Sequence, residues 1–185
     1  MSVRTRAFVT AAREIALDLL APLPDRRRHT EGVATRAAEL ASALDLDPDI
    51  LVAAAWLHDI GYAGPTVVTG FHPLDGADHL AAHGWPLTVA AQVAHHSGAR
   101  FVAAARGLGE RLAAYPFAED LLSDALTYAD QTVGPCGDRV TPADRHDEML
   151  RRHGPESWNV KVDHVRYPYL SAVAFRMESR LALAA

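Results

Sequence analysis

Cysteine and lysine are almost missing from this 185-residue chain, which contains one of each. The single Cys136 cannot form a disulfide within the chain or build a thiolate zinc site, so the cysteine content gives no sign of an oxidising compartment. The single Lys161 leaves mechanisms that need a phosphate-loop or Schiff-base lysine with only one candidate. We therefore predict a cytoplasmic protein whose chemistry depends on other side chains.

The chain also lacks an excess of positive charge and a long apolar run. Its 23 acidic residues outnumber its 18 lysines and arginines, and this balance argues against nucleic acids and anionic membranes as partners. Arg4, Arg6, Arg13 and Glu14 interrupt the start of the chain, and no run reaches the roughly 18 apolar residues that a membrane span needs. We expect no signal peptide and no membrane partner. The predicted partner is a small molecule, and the sequence leaves open whether the chain forms a homo-oligomer.

Alternating strand patterns are scarce, whereas apolar residues recur at helical spacing over most of the chain. The length fits one domain, which at this size can bury about 70% of its unfolded surface without disulfides or a structural metal. No repeat, low-complexity tract or linker divides the sequence. We therefore predict an all-α fold with a single domain over residues 1–185.

Prolines, glycines and capping residues mark the predicted helix ends. A loop is expected where three glycines and a proline cluster at 61–71. The predicted helices cover about 3–20, a segment starting near 27, 48–59, 72–83, 86–96, 100–115, 118–132, 142–153 and 168–184.

The ten histidines fall into two groups by their sequence context. Five lie among polar or charged neighbours and are expected to be solvated or hydrogen-bonded; they are His79, His83, His146, His153 and His164. The other five lie at predicted helix ends or on apolar stripes; they are His29, His58, His72, His95 and His96. A buried imidazole must find a partner. Singly, each would be a core histidine bonded to a backbone carbonyl, but together they indicate a metal site.

Carboxylates accompany these histidines at two points. His58 and Asp59 are adjacent at a predicted helix end and supply the mixed imidazole and carboxylate ligands that Mn, Fe, Co, Ni and Zn accept. Asp130 ends an apolar helical run and should face inward, where an isolated carboxylate would be costly and a cation would offset that cost. The alternative is that Asp130 caps a neighbouring helix or pairs with an arginine.

The order of these residues resembles the HD-domain superfamily of metal-dependent phosphohydrolases. The resemblance rests on His29, on His58 and Asp59 in Ala-Ala-Trp-Leu-His-Asp-Ile-Gly, and on Asp130 in Tyr-Ala-Asp-Gln. It implies a helical bundle with a metal-binding core at about 26–133, on which C-terminal helices at 142–184 pack. It also implies that these four residues hold a metal that activates water for attack on phosphorus, with His58 and Asp59 as the catalytic residues.

Two further histidine motifs are similar to the extra ligands of binuclear family members, in which Asp59 would bridge two ions. His72 lies in His-Pro-Leu-Asp-Gly-Ala, and His96 lies in Ala-His-His-Ser-Gly. They resemble the ligands of symmetrical diadenosine tetraphosphate hydrolases and HD-GYP phosphodiesterases. His95 is a candidate for an additional metal or phosphate contact. The HD-GYP subclass is rejected because residues 97–100 lack its glutamate and its Gly-Tyr-Pro run.

Arginines near these motifs are candidates for binding the substrate's phosphate, because guanidinium groups match phosphate oxygens. Arg26 and Arg100 are the predicted phosphate contacts, although the arginine run that includes Arg26 is also typical of a solvated helix start. Many family members have a lysine at the position of Tyr62, where it would contact the substrate's phosphate. In this chain an arginine would have to supply that phosphate contact.

The sequence therefore predicts an enzyme, a phosphohydrolase that cleaves a small phosphate ester or anhydride, best matched by a nucleotide. One or two divalent ions of Mn, Fe, Co, Ni or Zn are expected. Two alternatives stay open: a binuclear iron oxygenase resembling myo-inositol oxygenase, and a non-enzymatic metal-binding sensor.

Overall fold

Helices make up most of the computed structural model, which describes residues 3–184, with side chains from residue 7 onward. Short 3-10 turns lie at Ile60–Tyr62, Gly64–Thr66 and His96–Gly98. Among the described residues the extended pairing is limited to an isolated bridge between Val133 and Arg139, so the all-α prediction is confirmed. No described helix is both long and apolar enough to cross a bilayer. In chain order the helices are α1 (Val3–Leu19), α2 (Pro24–Ala43), α3 (Pro48–Leu57), α4 (His72–Ala82), α5 (Leu87–His95), α6 (Ala99–Ala105), α7 (Gly109–Leu112), α8 (Leu121–Gln131), α9 (Pro142–His153), α10 (Trp158–Lys161) and α11 (Asp163–Ala184).

Helix α3 forms the middle of the bundle and contacts α1, α2, α5 and α8. Its five consecutive residues 51–55 are all buried, as expected of a helix that is apolar on every side. The start of α3 is fixed by Asp47, whose side chain accepts a hydrogen bond from the backbone N of Asp49. Because residues 51–55 and Leu57 are buried, the carboxyl end of the helix delivers His58 and Asp59 to the interior.

Three helix boundaries differ from the sequence prediction. Helix α2 begins at Pro24 rather than near residue 27, because the first turn of a helix tolerates proline, whose missing N–H would have no partner there. The predicted helix at 100–115 is divided into α6 and α7 near Gly107, which has the left-handed φ of +70°. Helix α11 begins at Asp163 and contains Pro168, at the cost of one internal hydrogen bond.

The C-terminal helices lie over α8. Helix α11 packs along α8, and α9 contacts both of them. Asp130 lies in the last turn of α8, so α9 and α11 approach the residues that the sequence analysis selected.

Gly61 lies immediately after the His58–Asp59 pair, where two backbone segments are in contact. A Cβ atom at position 61 would lie 2.0 Å from the carbonyl O of His72 and 2.7 Å from the backbone N of Gly76. Both atoms belong to the backbone of α4 and cannot move independently of the helix. This close approach brings the start of α4, and His72 with it, against the end of α3.

We expect Gly61→Ala to lower the free energy of unfolding by about 1–3 kcal/mol, because α4 must move to admit the methyl group. Gly64→Ala is the matched control, since a Cβ at position 64 meets nothing within 4 Å. Urea denaturation of both variants measures the difference. Equal midpoints for the two variants would contradict the close packing of Gly61 on α4.

Candidate metal centre

Six of the predicted site residues meet in the interior at the ends of five helices. Within each of two groups, the candidate ligand atoms lie within 4.8 Å of one another. The first group is His29, His58 and Asp130, and the second is Asp59, His72 and His96. His72 is partly buried and the other five are buried.

Three of the four imidazoles are oriented by the main chain. In each case Nδ1 lies within hydrogen-bond distance of a backbone carbonyl, which can only accept, so Nδ1 carries the proton. In the neutral rings of His58 and His96, Nε2 then has a free lone pair, whereas His29 Nε2 lies 3.0 Å from Asp130 Oδ1. The bonds run from His29 Nδ1 to Gly134 O (3.0 Å), from His58 Nδ1 to Ala55 O (2.7 Å) and from His96 Nδ1 to Val93 O (2.6 Å).

The Nε2 atom of His58 is buried and makes no hydrogen bond. The Oδ2 atom of Asp59 lies 3.4 Å from it. Burial lowers the pKa of His58, but Asp59 more than offsets this effect and the pKa is raised, so positive charge is favoured at this point. A buried polar atom without a partner is costly, and a divalent cation at this position would remove the cost. The residues present therefore fit a transition-metal site.

Asp59 lies between the two groups, with one oxygen facing each. Its Oδ1 atom is 3.3 Å from His72 Nε2, whereas Oδ2 is 3.9 Å from His29 Nε2 and accepts a 2.8 Å bond from Arg26 Nη1. Burial raises the pKa of Asp59, but the charges of Arg26 and His58 hold it well below the usual range. The carboxylate is therefore ionised, with one oxygen towards each group.

His72 and His96 face each other across the second group, with 3.3 Å between their Nε2 atoms. Burial holds the pKa of His72 well below its usual value and lowers that of His96 to about 4. Both rings are neutral near pH 7, which is the state in which an imidazole binds a metal.

Asp130 is held by a set of donors around its carboxylate. Its Oδ1 atom is 3.0 Å from His29 Nε2, and its Oδ2 atom accepts from Ser97 Oγ and from Gln131 Nε2. Burial raises its pKa, but the bond from His29 more than compensates, so the pKa lies well below the usual range. Ser97 reaches Asp130 from a left-handed backbone conformation with φ of +52°. Sequence analysis did not identify Ser97 or Gln131 as supporting residues.

Arg26 lies at the edge of the cavity, as predicted for a phosphate contact. Its guanidinium carbon lies 4.2 Å from the centre of the Tyr62 ring, and it pairs with Asp59. The ring therefore supports the Arg26 guanidinium beside Asp59.

His95 and Arg100 are the two predicted site residues that the structure places outside both the ligand cluster and the cavity. Consecutive helical residues point about 100° apart, so His95 faces away from His96 and bonds the carbonyl of Tyr115 at 2.8 Å. The Arg100 guanidinium lies over the rings of Phe117 and Tyr169, 4.3 Å from each centre. Neither residue is retained as a metal or phosphate contact.

The cavity beside the metal centre has a volume of about 70 Å³ and is closed on one side by α9 and α11. These helices contribute Arg145, Arg152, His153 and Arg166 to its wall. Sequence analysis missed the three arginines and treated His153 as solvated. Arg152 and His153 belong to a basic run at the end of α9, and such a run usually lies on a solvated helix face.

One comparison with known proteins identifies a family, and the residues that it matches include the metal centre. A family model described as the HD domain matches residues 26–132, which is more than half of the sequence and includes all six clustered residues. Comparison with curated proteins and with solved structures gave no match.

Proposed function

Since the chain belongs to the HD-domain family of metal-dependent phosphohydrolases, we propose that it hydrolyses a small phosphate ester or anhydride, such as a nucleotide. The observation that carries this proposal is the buried, unpartnered Nε2 of His58 among two ionised carboxylates and three further imidazoles. Arginines beside this centre supply the complementary contacts for phosphate oxygens.

Two divalent ions fit the ligand set. His29, His58, Asp59 and Asp130 would hold one ion, and Asp59, His72 and His96 would hold the other. When bound, such ions lower the pKa of water towards 7 and offset the negative charge that develops on the phosphoryl group. The mixture of imidazole and carboxylate donors suits Mn, Fe, Co, Ni or Zn.

The surrounding residues set the ionisation and orientation of these ligands. Ser97 and Gln131 fix the Asp130 carboxylate, and the backbone carbonyls fix three of the rings. The Arg26 guanidinium lies at the cavity edge, where it pairs with Asp59. In the complex it would donate that hydrogen bond to a phosphate oxygen instead of to Asp59. Together, the oriented side chains and the Arg26 hydrogen bond would hold the phosphoryl group next to the metal ligands during the reaction.

Removing divalent metal should reduce phosphate release by about a hundredfold or more, because the pKa of water would then keep its ordinary high value. The measurement is phosphate release from nucleotides, dinucleoside polyphosphates and sugar phosphates after treatment with a chelator, followed by addition of Mn, Co, Ni, Mg or Fe(II). A sample carried through the same steps without chelator is the control.

Full activity without metal would contradict the proposal. Oxygen consumption by an iron-loaded sample with no phosphate release would also contradict it and favour the oxygenase chemistry. A metal-loaded protein with no turnover on the whole panel would favour a sensor.

A further inference from the structure

Three arginines lie where the metal-centre cavity meets a larger groove. The groove has a volume of about 410 Å³, and Pro22, Leu23, Pro24 and Pro135 form an apolar part of its wall. The residues that line both the cavity and the groove are Arg26, Tyr62, Arg145 and Arg152. A molecule extending from the metal centre into the groove would pass between these guanidinium groups.

The arginines at this junction depend on shared carboxylates, because Asp59 and Asp130, which pair with Arg26 and Arg145, also belong to the metal centre. Glu148 forms ion pairs with both Arg145 and Arg152, so one carboxylate serves two guanidinium groups and holds them side by side. Arg145 is 7% exposed, and its Nε atom is buried without a hydrogen-bond partner. An unpartnered donor on a buried cation is costly unless an anion binds it.

Arg166 adds a further cation from α11. It is 8% exposed and donates from Nε to the carbonyl of Ser97 at 2.9 Å. Within the part of the chain that the structure describes, no carboxylate oxygen lies within 4.0 Å of its nitrogens. Burying a guanidinium without a carboxylate favours the binding of an anionic ligand beside it.

We propose that the substrate is an organic polyphosphate, with at least two phosphates joined by an anhydride bond, rather than a monophosphate ester. This inference rests on the proposed function and specifies its substrate class. The terminal phosphate would lie beside the metal ligands, and the next phosphate would lie between Arg26, Arg145 and Arg152. The organic group would occupy the apolar groove. A single phosphate at the metal centre would leave Arg145 and Arg152 to share Glu148, with no phosphate beside them.

Hydrolysis of such a substrate balances without any further reactant. The water oxygen forms a bond to the terminal phosphorus, and the anhydride bond from that phosphorus to the bridging oxygen breaks. The bridging oxygen leaves with the bonding electron pair on the shorter phosphate chain. Near neutral pH the products are that chain, inorganic phosphate and one proton released to solvent.

The test is calorimetric binding of two inorganic probes, tripolyphosphate and orthophosphate, to the full chain without added metal. We expect tripolyphosphate to bind at least tenfold more tightly than orthophosphate.

Arg152→Gln should weaken tripolyphosphate binding by about tenfold, which is the effect of one charge-assisted hydrogen bond. It should change orthophosphate binding by less than about twofold. Among the described side chains Arg152 forms its ion pair with Glu148 on its own helix, so the variant should keep its fold, which circular dichroism checks.

Arg151→Gln is the matched control. Arg151 is the neighbouring residue on α9, and its Nε donates within the helix to the carbonyl of Asp147, outside the cavity and the groove. This variant should bind both probes as the parent does. Equal affinities of the parent for the two probes, or equal tripolyphosphate binding by the two variants, would overturn the inference.

A second measurement separates this inference from the proposed function. The Mn-loaded parent is assayed for phosphate release from adenosine diphosphate and adenosine monophosphate. Release from the monophosphate alone would overturn the polyphosphate inference and leave the proposed function standing. Tripolyphosphate binding that depends on Arg152, with no phosphate release from any compound, would support the anion site and contradict the proposed hydrolase function.

Discussion

Asp59→Ala is expected to reduce phosphate release to below about 1% of the parent rate and to remove bound metal, while the helical fold persists. The reason is its position, since one carboxylate oxygen faces each group of ligands. No other residue in the cluster faces both groups in this way among those that the structure describes. Metal content by mass spectrometry, phosphate release and circular dichroism measure the three effects.

Two companion variants make this experiment specific. Asp59→Asn keeps the size of the side chain and removes its charge, so it should lose metal and activity in the same way. Glu31→Gln removes the charge of a half-exposed carboxylate that pairs with Arg27, and it should leave metal content and activity unchanged. More than a few per cent of turnover in Asp59→Ala, with metal still bound, would contradict the assignment of the site.

The double variant His72→Ala/His96→Ala is expected to bind one equivalent of metal where the parent binds two. It removes two of the three residues in the second group and leaves His29, His58, Asp59 and Asp130 to hold the first ion. The measurement is metal stoichiometry after preparation with excess Mn or Fe(II), together with substrate affinity.

His79→Ala/His83→Ala is the matched control, because this pair of stacked rings lies on and just after α4, outside the metal centre. It should retain two equivalents. One equivalent in the parent, unchanged in His72→Ala/His96→Ala but with weaker substrate binding, would reassign His72 and His96 as phosphate contacts.

The ligand cluster could be predicted because its polar side chains lie at positions where the sequence pattern predicts burial. His58 and Asp59 end a helix that is apolar on every side, and Asp130 ends another apolar run. Polar groups at such positions are costly unless something binds them, and this cost is visible in the sequence alone. Their mutual distances, in contrast, required the packing of five helix ends.

The errors in the site prediction arise where packing decides between neighbouring residues. His95 and His96 have the same sequence context, but the end of α5 directs only His96 into the cavity. Arg145 and Arg152 look like residues of a solvated helix until α9 is placed against α8. No local sequence pattern links α9 to the metal ligands, and the packing of α9 on α8 and α11 brings Arg145 and Arg152 beside them.

The bonds from Nδ1 of His58 and His96 have a further consequence. Ala55 and Val93 lie in the last turns of α3 and α5, where backbone carbonyls have no amide partner within the helix. Each histidine therefore caps the helix that it ends and, with the same ring, presents a lone pair to the centre. Fraying of either helix end would withdraw a ligand, and a bound ion would oppose that fraying. Ion affinity and local helix stability are thus two expressions of one free energy.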